Sequence, residues 1–192
     1  MTQTSHSTTF DARTTALVLI DLQTGILAMN TAPYPTSDVL EKGKALAATF
    51  RQAGAAVVLV NVDFGPGMGN APRNATDAGF AARDLPADWS ALADGLAAPT
   101  DLLVTKAQWG AFYGTDLDLK LRRRGIRTIV IAGIATNFGV ESTVRSGWEH
   151  GYDMVVVEDA CTTVSRELHD MAVTAIFPRI ARVVTSATVA LA

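Results

Sequence analysis

Uncharged, β-branched runs alternate along the chain with stretches whose apolar residues recur every three or four positions, which predicts strands separated by helices. Thr128–Gly133 carries no charge, as expected of a strand buried on both faces of a parallel sheet. The stripe Phe138, Val140, Thr143, Val144, Gly147 and Trp148 then predicts a helix with one buried face, which Asn137 is placed to cap. The same alternation runs through the rest of the chain. Thr15–Ile20 reads as a strand ending in Asp21-Leu22-Gln23, and Thr36-Ser37-Asp38 as the start of a helix to about Gln52, closed by Gly54. Ala56–Val62 is the next strand. Asp63–Asp84, with Gly65, Gly67, Gly69, Pro66 and Pro72, has no sustained period and reads as a long loop or lid with a short helix near its end. Asp101–Thr105 reads as a strand and Thr115–Arg124 as a helix ended by Gly125. Asp153–Val157, a helix from about Arg166 to Phe177, and a short strand Arg182–Thr185 complete the pattern. Six strands with intervening helices and right-handed crossovers predict an α/β fold, a three-layer α/β/α sandwich around a six-stranded parallel sheet.

A length of 192 residues suits one domain, expected over 14–192. Met1–Arg13 is rich in Ser and Thr, without the basic start and apolar middle of a secretory signal, and is expected to be a flexible tail or an arm on another subunit. Sixteen basic and nineteen acidic residues leave a net charge of −3 with no basic patch beyond Arg122–Arg124, which argues against nucleic acid as a partner. A single cysteine excludes an internal disulfide framework and points to a cytoplasmic setting. No stretch approaches the length of a membrane span, so no membrane partner is expected.

Three segments follow strand ends and hold polar residues that packing does not require: Asp21-Leu22-Gln23, Lys106-Ala107-Gln108-Trp109 and Ala135-Thr136-Asn137. A carboxylate and an ammonium that meet at the carboxyl edge of a parallel sheet can shift each other's pKa and divide proton transfer from charge stabilisation. A structural ion pair is the competing reading. Gln23 is a candidate substrate ligand or a turn residue, and Trp109, Phe112 and Phe138 are pocket walls or core. Arg73 is the candidate anion binder of the lid or a solvated loop charge. The glycines of Asp63–Asp84 lack the Lys-Ser/Thr ending of a phosphate loop. His6, His150 and His169 are scattered and form no metal-ligand pattern, so neither a metal nor a cofactor is expected. Cys161 reads as a small buried packing residue.

Asp21, Lys106 and Gly133-Ile134-Ala135-Thr136-Asn137 in this order resemble the isochorismatase-like hydrolases, a family that includes nicotinamidases, N-carbamoylsarcosine amidohydrolase and the isochorismatases. The resemblance runs from about Thr15 to Ser186. It implies the strand order 3-2-1-4-5-6, a site where that order reverses, and a cis peptide at Ile134–Ala135. It also implies a catalytic Asp, Lys and Cys, but Gly139 stands where the family places its nucleophilic Cys. Glycine supplies only a backbone N–H, so thioester chemistry is disfavoured. Isochorismatases proper are similar in having Gly there, and they cleave a vinyl ether without a covalent intermediate. The resemblance thus implies a hydrolase of a small carboxylate-bearing molecule, with Asp21, Lys106 and Gly139 at the reaction. Gln23, Arg73, Trp109, Ile134, Ala135, Thr136, Asn137 and Phe138 are candidates around the substrate, and Thr136 with the Gly139 N–H is a candidate anion hole. Hydrolysis of another small amide or carbamoyl compound, with Asp21 as a base, and a catalytically silent binding protein stay open. Relatives of this kind commonly associate, and a homodimer or larger homo-oligomer is expected.

Overall fold

Six consecutive uncharged residues, Thr15–Ile20, form β2, the strand on which the sheet is built, and all six are buried. In a computed structural model describing residues 8–78 and 84–192, β2 pairs in parallel with β3 (Ala56–Val62) on one side and β5 (Thr128–Ile134) on the other. β4 (Leu102–Lys106) extends the sheet beyond β3, and β6 (Asp153–Thr162) and β7 (Arg182–Val184) extend it beyond β5. The order β4-β3-β2-β5-β6-β7 is the expected 3-2-1-4-5-6 of the main strands. It reverses between β2 and β5, where adjacent strands leave in opposite crossover directions and open a crevice at their carboxyl ends.

Helices flank the sheet. The long α2 (Thr36–Gln52) buries Val39, Gly43, Leu46, Ala47 and Phe50, a three- and four-residue stripe that packs over β2, β3 and β6. α1 (Thr24–Leu27), α3 (Leu117–Arg122), α4 (Glu141–Glu149) and α5 (Arg166–Met171) are shorter. The core residues Leu17, Leu19, Ile129 and Ile131 are essentially inaccessible to water, and each such side chain stabilises the fold by about 1.5–3 kcal/mol. No helix among the described residues is long and apolar enough to cross a membrane.

Several boundaries differ from those expected. Lys106 belongs to β4, opposite Val62, and its carbonyl accepts from Asp63 N–H at 2.9 Å, so the ladder extends one residue further than the apolar run. β6 continues past Val157 to Thr162 through a bulge, where the pairing steps two residues along β5 (Ile131 to Gly133) and five along β6 (Val156 to Cys161). The helix after β5 starts with a π-helical turn, Thr136–Val140, with Ala135 before its first residue, so Asn137 lies inside the turn and is not its cap. α5 likewise passes into a π-helical turn, Ala172–Ile176, and a 3-10 turn, Phe177–Arg179.

The N-terminal tail expected over 1–13 is corrected from Thr8 onward. β1 (Thr8–Phe10) pairs in parallel with β8 (Val189–Leu191), Phe10 packs into the core, and Ala12 N–H donates to Ala192 O at 3.0 Å. Thr-Thr-Phe has high strand propensity, and the apolar C-terminus gives it a partner. Residues 1–7 and 79–83 lie outside the described residues, and with them most of the expected tail and the end of the lid where a short helix was expected.

Candidate active site

The chain leaves β2 by an unusual conformation. Asp21 has φ +54°, in the left-handed region, while its N–H still bonds to Val60 O at 2.9 Å and its carbonyl accepts from Gln23 N–H. For a non-glycine residue that conformation costs on the order of 1 kcal/mol or more and persists where the surroundings impose it. The carboxyl is buried, and Lys106 Nζ at the end of β4 donates to its Oδ2 at 2.7 Å. Lys106 is equally buried and gives a second hydrogen bond to Gln108 O at 3.1 Å. An ammonium has three protons, so one remains. Asp21 Oδ1 is buried with no hydrogen-bond partner among the described residues. Burial pushes the Asp21 carboxyl from its ordinary 3.8 up to about 6, and the Lys106 charge and hydrogen bond only partly oppose this. The sequence left open which influence is larger; burial is.

β5 brings the third segment to the same place. Gly133 has φ +124°, and a Cβ there would lie 2.2 Å from Ile20 O, so only glycine lets β5 lie this close to β2 just before Asp21. The following Ile134–Ala135 peptide is cis. The first bonds of the next turn run from Phe138 and Val140 N–H to Ala135 O, both at 3.1 Å, so the N–H groups of Thr136 and Asn137 come before any intrahelical partner. Gly139 then passes directly beside the carboxyl: a Cβ at this position would lie 3.3 Å from Asp21 Oδ2, 3.1 Å from Ile20 Cγ2 and 3.5 Å from Trp109 O. Asp21, Lys106, Trp109 and Gly139 are thus gathered from the ends of β2, β4 and β5.

The remaining candidates divide. The rings of Trp109 and Phe138 lie 4.8 Å apart, next to Gly139, and Trp109 is 59% exposed at the rim. Ile134 is buried in the core, so only its backbone is available, while Ala135 is part-buried. Asn137 accepts from Thr163 Oγ1 at 2.6 Å and ties the turn to the end of β6. Phe112 packs on His150 and Tyr152 as part of the core and does not wall the site. Gln23 is a correction. Its Nε2 donates to Val62 O at 3.0 Å and Trp89 O at 3.1 Å while its Oε1 accepts from Val62 N–H at 2.8 Å, so the amide is a backbone clamp and not a substrate ligand. Arg73 is exposed on the loop, and the described hydrogen bonds and ion pairs of Asp21 and Lys106 do not include it. A cleft of about 690 Å³ lies beside the site, between Asp63–Met68 and Asp84–Ser90, and is lined by neither Asp21 nor Lys106. Its Trp89, stacked on Phe64, adjoins the site through the Gln23 clamp.

Cys161 is paired with Gly133 inside the sheet and fully buried, and burial pushes its thiol well above the ordinary range. A thiolate is therefore not available. Cys161→Ser is expected to leave the turnover rate unchanged while lowering the melting temperature, because it buries a hydroxyl at a cost of about 1–3 kcal/mol. Loss of turnover with an intact fold would place the nucleophile at this thiol.

Sequence reasoning passed over His169. It is buried on α5, with Nδ1 2.9 Å from Thr136 Oγ1 and Nε2 3.2 Å from Glu158 Oε1. The available signal was its position three residues before Ala172 on the inward face of the predicted helix, where a polar residue needs partners.

With this geometry in view, comparison with known proteins is specific. The isochorismatase domain model matches residues 15–188. The isochorismatase family protein YecD of Escherichia coli O157:H7 is 48% identical over 174 residues, covering 90% of this chain and 93% of that protein. The ureidoacrylate amidohydrolase RutB of Methylorubrum extorquens is 34% identical, covering 79% of this chain and 71% of its own. The solved structure of an isochorismatase family protein from Burkholderia thailandensis superposes with a TM-score of 0.91 at 46% identity, covering 94% of this chain and 95% of that one. The chain belongs to the isochorismatase family of hydrolases.

Proposed function

We propose that the protein hydrolyses a small carboxylate-bearing substrate by non-covalent acid catalysis, of the vinyl ether type that isochorismate represents. The observation that carries this reading is the Asp21 carboxyl, whose Oδ2 is held by Lys106 and whose buried Oδ1 has no partner among the described residues. A proton on the carboxyl belongs on Oδ1, since Oδ2 already accepts the ammonium's hydrogen. With a pKa of about 6 the acid form is populated near neutral pH. Oδ1 delivers its proton to the terminal vinyl carbon, and the adjacent carbon becomes an oxocarbenium. Water adds there and returns a proton to Asp21. The resulting hemiketal breaks its C–O bond as its hydroxyl proton passes to the leaving oxygen, releasing the alcohol and a keto acid. The third Lys106 proton faces the substrate carboxylate, and the N–H groups of the turn after β5 are the donors for the oxygen that gains negative charge as the hemiketal breaks.

Gly139 supports the non-covalent course, because the position beside Asp21 Oδ2 carries no thiol or hydroxyl to attack a carbonyl. A second reading is favoured by the similarity to RutB: hydrolysis of a small amide or carbamoyl compound, in which ionised Asp21 activates water. A pH–rate profile separates the two. If Asp21 is the acid, kcat/KM falls about tenfold per pH unit above about 6; if it is the base, the rate falls below that pH instead. Turnover is measured on a panel of isochorismate, small amides and carbamoyl compounds. Absence of turnover on every compound would leave only the reading of a silent binding protein.

The same proposal includes self-association. Trp109, Tyr113 and Trp148 are 59%, 83% and 53% exposed, aromatic surface that association of copies would cover. Sedimentation is expected to show a homodimer or larger at micromolar concentration, and a monomer throughout would contradict this.

A further inference from the structure

Away from Asp21 and Lys106, a run of hydrogen-bonded polar side chains crosses the interior and ends on the turn that carries Gly139. Tyr34, in the loop before α2, donates its hydroxyl to Glu158 Oε1 at 2.8 Å. Glu158 lies in the bulged stretch of β6, and the same oxygen is 3.2 Å from His169 Nε2 on α5. The other ring nitrogen is 2.9 Å from Thr136 Oγ1, two residues after the Ile134 carbonyl of the cis peptide. His169 and Thr136 are 1% and 0% exposed, so no water competes for the bond between them.

The directions of the bonds follow from the chemistry of each group. The hydrogen bond from His169 holds Glu158 below the ordinary carboxylate range, so it is an anion and only accepts. Burial, and next the Glu158 carboxylate, push Tyr34 up to about 12, so the phenol keeps its proton and donates it. His169 Nε2 must then carry a proton to bond to Glu158. In the neutral ring Nδ1 is bare and accepts, and the donor to it is the Thr136 hydroxyl.

We propose that His169 is a positioning residue for the reaction: as the Nε2–H tautomer set by Glu158, it accepts the Thr136 hydroxyl proton and holds the turn from Ile134 to Gly139 against Asp21. This rests on the reading of that turn as part of the active site. One chain of bonds ties the Tyr34 loop, β6 and α5 to this hydroxyl through His169, so the start of the turn is fixed by groups that touch no substrate. It follows that Thr136 has no hydroxyl proton for an anion. Stabilisation of negative charge in this turn falls to its backbone N–H groups alone, against the expectation that paired the Thr136 hydroxyl with the Gly139 N–H.

The test uses the full-length protein with isotope-labelled histidine. Nitrogen–proton correlation spectra at neutral pH, with the His169 signal identified from His169→Gln, are expected to show a protonated Nε2 and a bare Nδ1. A ring protonated at Nδ1, alone or together with Nε2, would overturn the proposal. His169→Leu is expected to displace the backbone amide signals of Asn137, Phe138 and Gly139. On whichever panel compound turns over, it should lower kcat about tenfold with KM little changed, as a small misplacement of a reacting geometry does. His169→Gln, whose amide can donate to Glu158 and accept from Thr136, should restore most of both. Unmoved amide signals and an unchanged kcat in His169→Leu, or a His169→Gln variant no better than Leu, would refute the positioning role. If no compound turns over, the hydrolase reading has failed, and the tautomer and amide signals still decide this one.

Discussion

Asp21→Asn is expected to reduce turnover by about 10²–10⁴-fold while the protein keeps its fold. The amide fills the space of the carboxyl, and its oxygen can still accept from Lys106, which now donates to Asp21 Oδ2 at 2.7 Å. It cannot exchange a proton with a substrate carbon or with water. The substitution also removes a titration from the folding equilibrium. Burial raises the folded-state pKa of Asp21 to about 6, above the ordinary 3.8 of an unfolded chain. The folded protein therefore holds this proton more tightly, so the group's contribution to stability is complete below about pH 4 and is lost as pH rises through about 6. The two values differ by about two units, which corresponds to on the order of 3 kcal/mol. Urea unfolding across this range should show the decline in the wild type and a flatter curve in Asp21→Asn. A variant that keeps its rate within about tenfold would show that Asp21 moves no proton in the rate-limiting step.

What could be read from the sequence follows from where apolar runs coincide with hydrogen-bonding runs. β2 and β3 were bounded to the residue because their apolar runs end at Asp21 and Asp63 and begin after Thr14 and shortly after Gly54, and the order of the main strands followed from the family resemblance. β6 was cut short at Val157 because Glu158 and Asp159 interrupt its apolar run. The bulge turns these carboxylates to separate partners: Tyr34 and His169 for Glu158, and Lys42 and Ser186 for Asp159. A polar pair that is satisfied through long-range contacts looks like a strand end when only neighbours in sequence are visible. The β1–β8 pairing was missed for a related reason, since a Ser/Thr-rich start reads as solvated until its distant partner is known.

The candidate site was read from the sequence as three strand exits, because polar residues at such places have no packing rationale. The roles of particular side chains were not. Gln23 follows a strand as Asp21 does, yet its amide bonds only to backbone groups of the neighbouring elements. His169 looked like an isolated histidine because its partners lie 33 and 11 residues away. Distances of this kind are set by the crossovers of the sheet and leave no local periodicity to detect.

Lys106→Met tests the other half of the ion pair and separates its structural from its chemical role. Methionine keeps most of the length of the side chain and leaves no large cavity, but Asp21 loses both influences that lower its pKa, the Lys106 charge and the Lys106 hydrogen bond. Its carboxyl is then expected to titrate above 6 and to stay protonated in the folded protein at neutral pH. Removing one partner of a buried pair costs about 3–5 kcal/mol when the other must remain charged. Here Asp21 can take up a proton, so the cost depends on pH. With the folded pKa raised further, stability is kept at low pH and lost as pH rises. Urea unfolding at about pH 8 should show most of the 3–5 kcal/mol loss, and at about pH 5 much less. In kinetics, the falling limb of the pH–rate profile should move to higher pH if Asp21 is the acid. KM should rise as well, since the third ammonium proton assigned to the substrate carboxylate is gone. Equal destabilisation at both pH values would mean that Asp21 does not titrate in the buried pair. An unchanged KM would remove Lys106 from substrate recognition and confine it to holding Asp21 and Gln108.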